Sequence, residues 1–396
     1  MKKLIIFESL IICLLMLLIP ISSSIEIQLT NKIDDNKISD VDSNSLKLNS
    51  NDKIVQSKKS THVIIPCDGD KDFYALIAGC SKYEDSWNNL PRPPLKPFPE
   101  STMKYVYDVL IDSSNWDEDN IILLLNEEAT RQNIVDNLAY MGSIIDGDDI
   151  FLFSWTGHGT QVDDLDGDDG DGFDEAICPY DTTKNKNGEL LNILTDDELD
   201  SYFSLIGAEG LFLMFESCFS GGLVDVEIQQ GFSFVDVDDD RRVVVMSTLP
   251  DKSGFGMFDI GWPMLMLYGM AFSDNSCDTN LDGWISAEEA FTFVDETYPI
   301  IENNFYMSLL NFSIKLSVII VFLNTYKFLK KLGVDLGLRI VLSTLVTGYA
   351  YIIYQNDSFK KLMMEYMEML HEIYGLENNP NMCDDYLGEL NIIKIE

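Results

Sequence analysis

Two short apolar runs in this chain end abruptly in small residues around one reactive side chain each. Asp149–Ser154 leads into Trp155-Thr-Gly-His158-Gly159, and Gly210–Phe215 leads into Glu216-Ser-Cys218-Phe-Ser-Gly-Gly222. Such runs, bounded by turn-forming residues, read as strands buried on both faces of a parallel sheet. Chemistry in these sheets collects at the carboxyl ends of the strands. If the two strands are neighbours, an imidazole and a thiol meet across one crevice, as a general base and the nucleophile it serves. The chain has only three histidines, His62, His158 and His371, and one of them stands at this strand end. On pattern alone a second account stays open, a small core cysteine and a structural histidine that share no chemistry.

The elements that must position this pair can be read in order. Phe73–Gly79 is a first buried strand, and the proline-rich stretch Asn88–Pro99 is a loop, since its prolines preclude regular pairing. Ser101–Asp112 carries Met103, Val106, Val109 and Leu110 on one helical face. Ile121–Leu125 is a second strand, followed by a helix capped by Thr130 with Ile134 and Leu138 facing inward. After Asp149–Ser154, the spacing from Thr195 to Glu198 marks a helix start. Leu211–Phe215 and Val243–Ser247 complete the strands. Strands alternating with helices predict an α/β domain, a mostly parallel sheet with helices on both faces.

A second chemistry is written in Asp278-Thr-Asn280-Leu-Asp282-Gly-Trp284-Ile-Ser286-Ala-Glu-Glu289, which matches a twelve-residue EF-hand loop. Asp278, Asn280 and Asp282 offer side-chain oxygens, Gly283 the sharp turn, and Trp284 its carbonyl. Ser286 holds the ninth position, and Glu289 closes bidentately on Ca²⁺. Apolar helical segments flank it, Met264–Phe272 before and Ala290–Val294 after. A single hand reads as a structural clip rather than a sensor. The acidic loop Asp163–Glu175 also invites a cation, because a loop so dense in Asp and Gly does not fold compactly without counter-charge. Its plainer reading is a solvated loop.

Several of these stretches, in their order, resemble the caspase-like cysteine peptidases, and most closely the metacaspase branch. The resemblance rests on Trp155–Gln161, on Asp164–Pro179, on Thr195–Leu199 and on Glu216–Gly222, and it spans roughly residues 72–250. It implies Cys218 as nucleophile, His158 as acid and base, and an oxyanion hole formed by the backbone amides of Gly159 and Cys218. It further implies that Glu216 and Thr156 line a pocket for an Arg or Lys side chain at the cleavage position. The Cys–Asp pocket motif of the family, expected near Glu100–Met103, is absent. Asp174, Asp196, Asp197 and Asp225 correspond to an activating calcium site.

The 396 residues hold one sizeable domain with appendages, and the net charge of −39 excludes a nucleic-acid binder, which needs a basic footprint. Met1-Lys-Lys followed by Leu4–Ile21 and Ser22-Ser-Ser has the order of a secretory signal, cut near Ser24 or kept as an anchor. Residues 25–61, rich in Asp, Asn, Ser and Lys, read as a disordered linker. Export permits disulfides, but six cysteines beyond the signal are too sparse for a disulfide framework.

The peptidase domain is therefore expected over 62–260, the calcium-binding segment over 261–300 and a C-terminal apolar helical region over 301–396. Within the last, Ser308–Tyr326 and Leu336–Tyr354 flank the basic connector Tyr326–Lys331. They form a transmembrane hairpin over 308–354 or a pair of buried or interfacial helices. The basic connector puts the hairpin tip on the cytoplasmic side and the enzyme outside the cell or at its surface, tethered to a membrane. Phe359–Tyr374 reads as an amphipathic helix stopped at Gly375.

The function expected is that of a Ca²⁺-dependent cysteine endopeptidase acting on polypeptides after Arg or Lys. Its rivals are a catalytically silent, calcium-binding surface protein that uses the fold for partner binding, and a related hydrolase or ligase with the same nucleophile.

Overall fold

A computed structural model describes residues 67–90, 99–165, 172–224, 241–254, 263–356, 359–365, 369 and 377–395. The expected signal segment 1–24, the linker 25–61, Asp225 and much of the amphipathic stretch 359–374 lie outside these residues. Five strands form the parallel part of the main sheet: β1 Phe73–Gly79, β2 Ile121–Leu125, β3 Ile150–Thr156, β9 Gly210–Glu216 and β10 Arg242–Met246. Between β3 and β9 lie β4 Gly159–Asp163, β5 Phe173–Ile177, β6 Thr183–Lys184, β7 Leu190–Leu191 and β8 Leu194–Thr195. β4, β5 and β8 make a small second sheet and β6 pairs with β7. Three further strands follow, β11 Trp284–Ser286, β12 Asn381–Asp384 and β13 Asn391–Lys394.

The main sheet runs β12-β10-β9-β3-β1-β2, parallel except for β12 at one edge. The expected α/β architecture with a mostly parallel sheet is thus the observed one. Every residue of β3 and β9 is buried, because helices cover both sides. On one face α1 Pro99–Asp112 and α4 Pro263–Phe272 pack on Ile77, Leu152, Phe212 and Val245. On the other, α2 Arg131–Ile144 and α3 Asp196–Phe203 cover Phe151, Phe153, Leu213 and Phe215. Thr130 and Thr195 cap α2 and α3 with their side chains, as expected from their spacing. The register places Gly79, Thr156 and Glu216 in one row, so β1, β3 and β9 end flush and share one crevice.

The segment after α4 departs from the expected division. Ile285, Ala287, Ala290 and Val294 belong to the same core as α1 and the sheet. The helix after β11 does not stop near Pro299: α5 runs from Ala287 to Lys331 as one 45-residue helix. A proline inside a helix removes one hydrogen bond and crowds the preceding turn. Here Val294 and Tyr298 on one side of it and Phe305 on the other are all buried in the core, and that packing carries the helix through the break. α6 Leu336–Tyr354 folds back on α5, where Leu310 and Ile314 meet Tyr354. The tail, whose residues carry no readable pattern, returns to the α/β domain as β12 and β13.

Candidate active site

β3 ends in Thr156-Gly157-His158, and the chain turns at once into β4. The turn is tied down from two sides. The backbone N–H of His158 donates to the Tyr83 hydroxyl at 2.7 Å, and the His158 carbonyl accepts from Cys178 N at 3.0 Å. The Tyr83 ring lies 5.0 Å from the imidazole, centroid to centroid. The Nε2 atom of His158 is 2.8 Å from the Asn88 carbonyl oxygen. A carbonyl only accepts, so Nε2 carries the proton in the neutral ring and Nδ1 is its basic nitrogen. Desolvation pushes the pKa of His158 down to about 4, against the opposing pull of the Asn88 carbonyl. The imidazole is a neutral base at physiological pH.

β9 ends in Glu216-Ser217-Cys218, and Phe219 takes a left-handed conformation, φ 62°. Such a φ is uncommon for a bulky residue; it is held by Phe219 N donating to Lys252 O at 2.8 Å. Ser247 and Thr248 donate their hydroxyls to the Ser217 carbonyl at 3.3 and 3.2 Å, and the Thr248 hydroxyl accepts from Ser220 N at 3.0 Å. The Cys218 thiol is buried and lies 3.9 Å from the Gly254 carbonyl oxygen. Gly159 locks the two strand ends together: a Cβ there would stand 2.1 Å from the Cys218 carbonyl oxygen and 3.0 Å from Ser217 Oγ. Only glycine permits this approach. His158 and Cys218 therefore stand on adjoining strand ends whose backbones touch.

Glu216 takes a place that sequence did not foresee. It is 1% exposed, and its two carboxylate oxygens accept the N–H groups of Met264 and Leu265 at 2.8 and 3.1 Å. These are unpaired donors of the first turn of α4, a natural anion site. Burial raises the Glu216 pKa to about 8, with the two N–H donors opposing the shift. Thr156 is fully buried beside it in the strand register. Glu100 accepts from Asn126 Nδ2 at 3.1 Å, which bridges α1 to the end of β2.

The residues expected to bind calcium fall into two groups. Asp174 and Asp196 are buried close to one another, with Asp196 Oδ2 accepting from Glu175 N at 3.0 Å and Oδ1 accepting from Asp197 N at 3.0 Å. Glu175, 3% exposed, packs its carboxylate where a Cβ on Gly222 would be, so this acidic group touches the segment after Cys218. Asp225, the fourth expected member, is outside the described residues. In the other group, Asp278 accepts from Asp282 N and Gly283 N, each at 3.1 Å. Asn280 Oδ1 accepts from Asp282 N at 2.8 Å, and Asp282 Oδ1 from Trp284 N at 2.9 Å. Glu289 accepts from Thr279 N at 2.7 Å and from Ser286 N at 3.2 Å, forming a capping box with Ser286 at the start of α5. Gly283 has φ 88°, so the turn needs glycine. These side chains brace the loop through its backbone N–H groups, and their oxygens are of the hard type that suits Ca²⁺.

Tyr83, Asn88, Cys178, Lys252 and Gly254 were absent from the sequence-derived site. Tyr83 could have been found, because it follows the end of β1 by four residues and strand ends converge on the crevice. Asn88, Lys252 and Gly254 act through backbone carbonyls, which leave no mark in a sequence.

A strand-end thiol and a pinned neutral imidazole on a mostly parallel α/β sheet define a domain of the cysteine-peptidase class. Residues 100–227 match the profile of the metacaspase, peptidase C14 domain. Metacaspase-1 of Schizosaccharomyces pombe is 32% identical over 126 residues, covering 30% of this chain and 28% of that protein. Metacaspase-1 of Pyricularia oryzae is 27% identical over 185 residues, covering 42% and 43% respectively. Metacaspase-4 of Arabidopsis thaliana is 29% identical over 136 residues, covering 32% and 30%. The chain thus spans less than half the length of these curated relatives. The profile match and these relatives support a caspase-like, metacaspase-type domain in this part of the chain.

Proposed function

We propose that the protein is a calcium-dependent cysteine endopeptidase that cuts polypeptides after Arg or Lys. The carrying observation is the pairing of a neutral imidazole, oriented by the Asn88 carbonyl, with a thiol on the next strand end. The Cys218 proton passes to Nδ1 of His158 as Sγ attacks the scissile carbonyl carbon. The oxyanion so formed is received by the backbone N–H groups of Gly159 and Cys218. The imidazolium returns its proton to the leaving amine as the C–N bond breaks. Water, deprotonated by the same imidazole, then hydrolyses the thioester and restores the thiol.

The preference for Arg or Lys is carried over from the resemblance at Glu216, whose side chain is 1% exposed and accepts two N–H groups of α4. A substrate cation has to compete there with the two N–H donors of α4. Calcium, when bound, supplies positive charge that draws acidic oxygens into fixed positions. Asp278, Asn280, Asp282, Ser286, Glu289 and the Trp284 carbonyl would hold one ion. Asp174, Asp196, Asp197 and Asp225 would hold another, more weakly.

The membrane tether is supported by α6. Among the described residues it is the one helix long and apolar enough to cross a bilayer, with only 6% of its apolar window buried. The partner stretch within α5 does not meet that measure; Asn311, Lys315 and Asn324 interrupt it. β12 and β13, which follow α6, pair with β10 and β11, which precede α5. A single crossing would part them, so the proposed tether is the α5–α6 hairpin over 308–354, with the catalytic domain outside the cell.

Incubation of the purified protein with Ca²⁺ and peptides ending in Arg, Lys or Asp tests the proposal. Turnover of the Arg and Lys peptides, lost in Cys218→Ala and on chelation, is the expected result. No turnover of any peptide, with Cys218 inert to alkylation, refutes it.

A further inference from the structure

Residues 377–395 leave the hairpin and return to the catalytic domain, where they touch both centres described above. At their start, Glu377 N donates to Ser253 O at 3.0 Å and Asn379 N to Ser247 O at 2.8 Å. Asn381 Nδ2 donates to Thr248 O at 3.1 Å. Ser247–Gly254 is the loop that holds the nucleophile, through Lys252 O on Phe219 N, the Ser247 and Thr248 hydroxyls on Ser217 O, and Gly254 O beside Cys218 Sγ. β12 then adds to the sheet edge, antiparallel to β10.

At its far end the same segment completes the acidic loop. β13 pairs with β11, Ile285 opposite Ile393, so that a strand of the tail fills the place beside the loop. Leu390 O accepts from Ala287 N at 2.9 Å, Leu390 N donates to the Glu288 carboxylate at 3.1 Å, and Ile395 N donates to Gly283 O at 2.9 Å. The Glu389 carboxylate meets Asn280 Nδ2. Leu390 and Ile392 are fully buried in the core that also holds Ile285 and Ala287.

We infer that residues 377–395 are a strap that positions the Cys218 loop and couples it to the occupancy of the loop Asp278–Glu289. This rests on the calcium reading proposed above. The physical reason is charge and strand length. Asp278, Asp282, Glu288, Glu289 and Glu389 crowd one short stretch, with the Lys394 ammonium 5.8 Å from the Trp284 ring as a nearby cation. Carboxylates this close repel one another unless counter-charge is present. Paired strands of only three and four residues are marginal by themselves. A cation that neutralises the loop therefore stabilises the β11–β13 pair, and with it the anchorage of Asn379 and Asn381 on the nucleophile's loop. Coupling carried through one continuous segment is reciprocal: what tightens one end tightens the other by the same factor.

The test uses the full-length protein, with terbium as the probe of the acidic loop and a reversible peptide aldehyde as the probe of Cys218. Luminescence sensitised by Trp284, and lost in Glu289→Gln, reports occupancy of the loop. In the wild type, saturating terbium is expected to tighten aldehyde binding at least about fivefold, and saturating aldehyde to tighten terbium binding by the same factor. In Ile393→Pro, which breaks the β11–β13 pair, and in Asn381→Ala, which frees the other end, both factors fall towards one. Circular dichroism and the melting temperature show whether each variant is folded; should Ile393→Pro unfold, Asn381→Ala alone decides. Full coupling in the folded variants, or no coupling in a wild type that binds terbium, overturns the strap. Absence of sensitised luminescence in the wild type removes the calcium reading, and the strap falls with it.

Discussion

Glu216→Gln is expected to change how stability responds to pH, and the size of the change follows from the site. The wild-type carboxyl titrates near 8 in the fold, against an ordinary value of 4.5, because it is buried. A carboxyl whose folded pKa is raised makes folding take up a proton between those limits. Its contribution is full below pH 4.5 and is lost as pH rises through 8, the reverse of an ordinary surface carboxylate. The interval from 4.5 to 8 corresponds to about 5 kcal/mol at most. The side-chain amide of the variant has no proton to gain, and its carbonyl still accepts one N–H of α4. Urea unfolding of both proteins at pH 5, 7 and 9 measures the difference. The stability of the variant relative to wild type should climb by several kcal/mol (about 2 to 5) from pH 5 to 9. A difference that stays flat across this range refutes the account of Glu216 as a buried acid held at a helix start. The same titration bears on specificity: turnover of Arg and Lys peptides should strengthen from pH 6 to 9 in wild type and not in the variant.

Three other outcomes are expected. Gly159→Ala, whose methyl would stand 2.1 Å from the Cys218 carbonyl oxygen, forces the strand ends apart by about 1 Å. A loss of kcat/KM on the order of 10²-fold should follow, measured with a fluorogenic peptide. His158, with its pKa pushed down to about 4, is the neutral base at higher pH, so kcat/KM should fall as pH drops through about 4. The unfolded state binds more protons between pH 4 and the ordinary 6.5, so stability from the neutral ring is full above 6.5 and lost as pH falls to 4. Melting temperatures of wild type and His158→Gln should converge over that window. Arg242, whose side chain is fully buried, bonds Asp200 at 2.7 Å. Arg242→Ala should cost about 3–5 kcal/mol in urea unfolding, and Arg242→Met with Asp200→Leu should recover most of it.

The strands that matter were legible because each is a continuous apolar run ended by glycine or a polar cluster. β1 and β2 fall on Phe73–Gly79 and Ile121–Leu125 as expected, and β3, β9 and β10 within one or two residues. The placing of His158, Gly159 and Cys218 at the ends of β3 and β9 was legible too, because each follows an apolar run that stops abruptly. The sharp turn at Gly283 and the helix start at Ser286 were legible in the spacing of Asp278 to Glu289. The sequence could not say that α5 would pass through Pro299, because local propensity is overruled by Val294, Tyr298 and Phe305 burying on either side.

What the chain determined by itself was local: which runs must be buried, where helices begin, and which side chains could attack or deprotonate. Only the tertiary structure decided the partners at long range. It brought Glu216 to the start of α4, the Asn88 carbonyl to the imidazole, and the tail to both the acidic loop and the sheet edge. Backbone carbonyls and N–H groups are the same in every residue, so a sequence cannot show which of them will be brought to a site. A strand as short as Asn391–Lys394 has no periodicity to read until it finds the strand it pairs with.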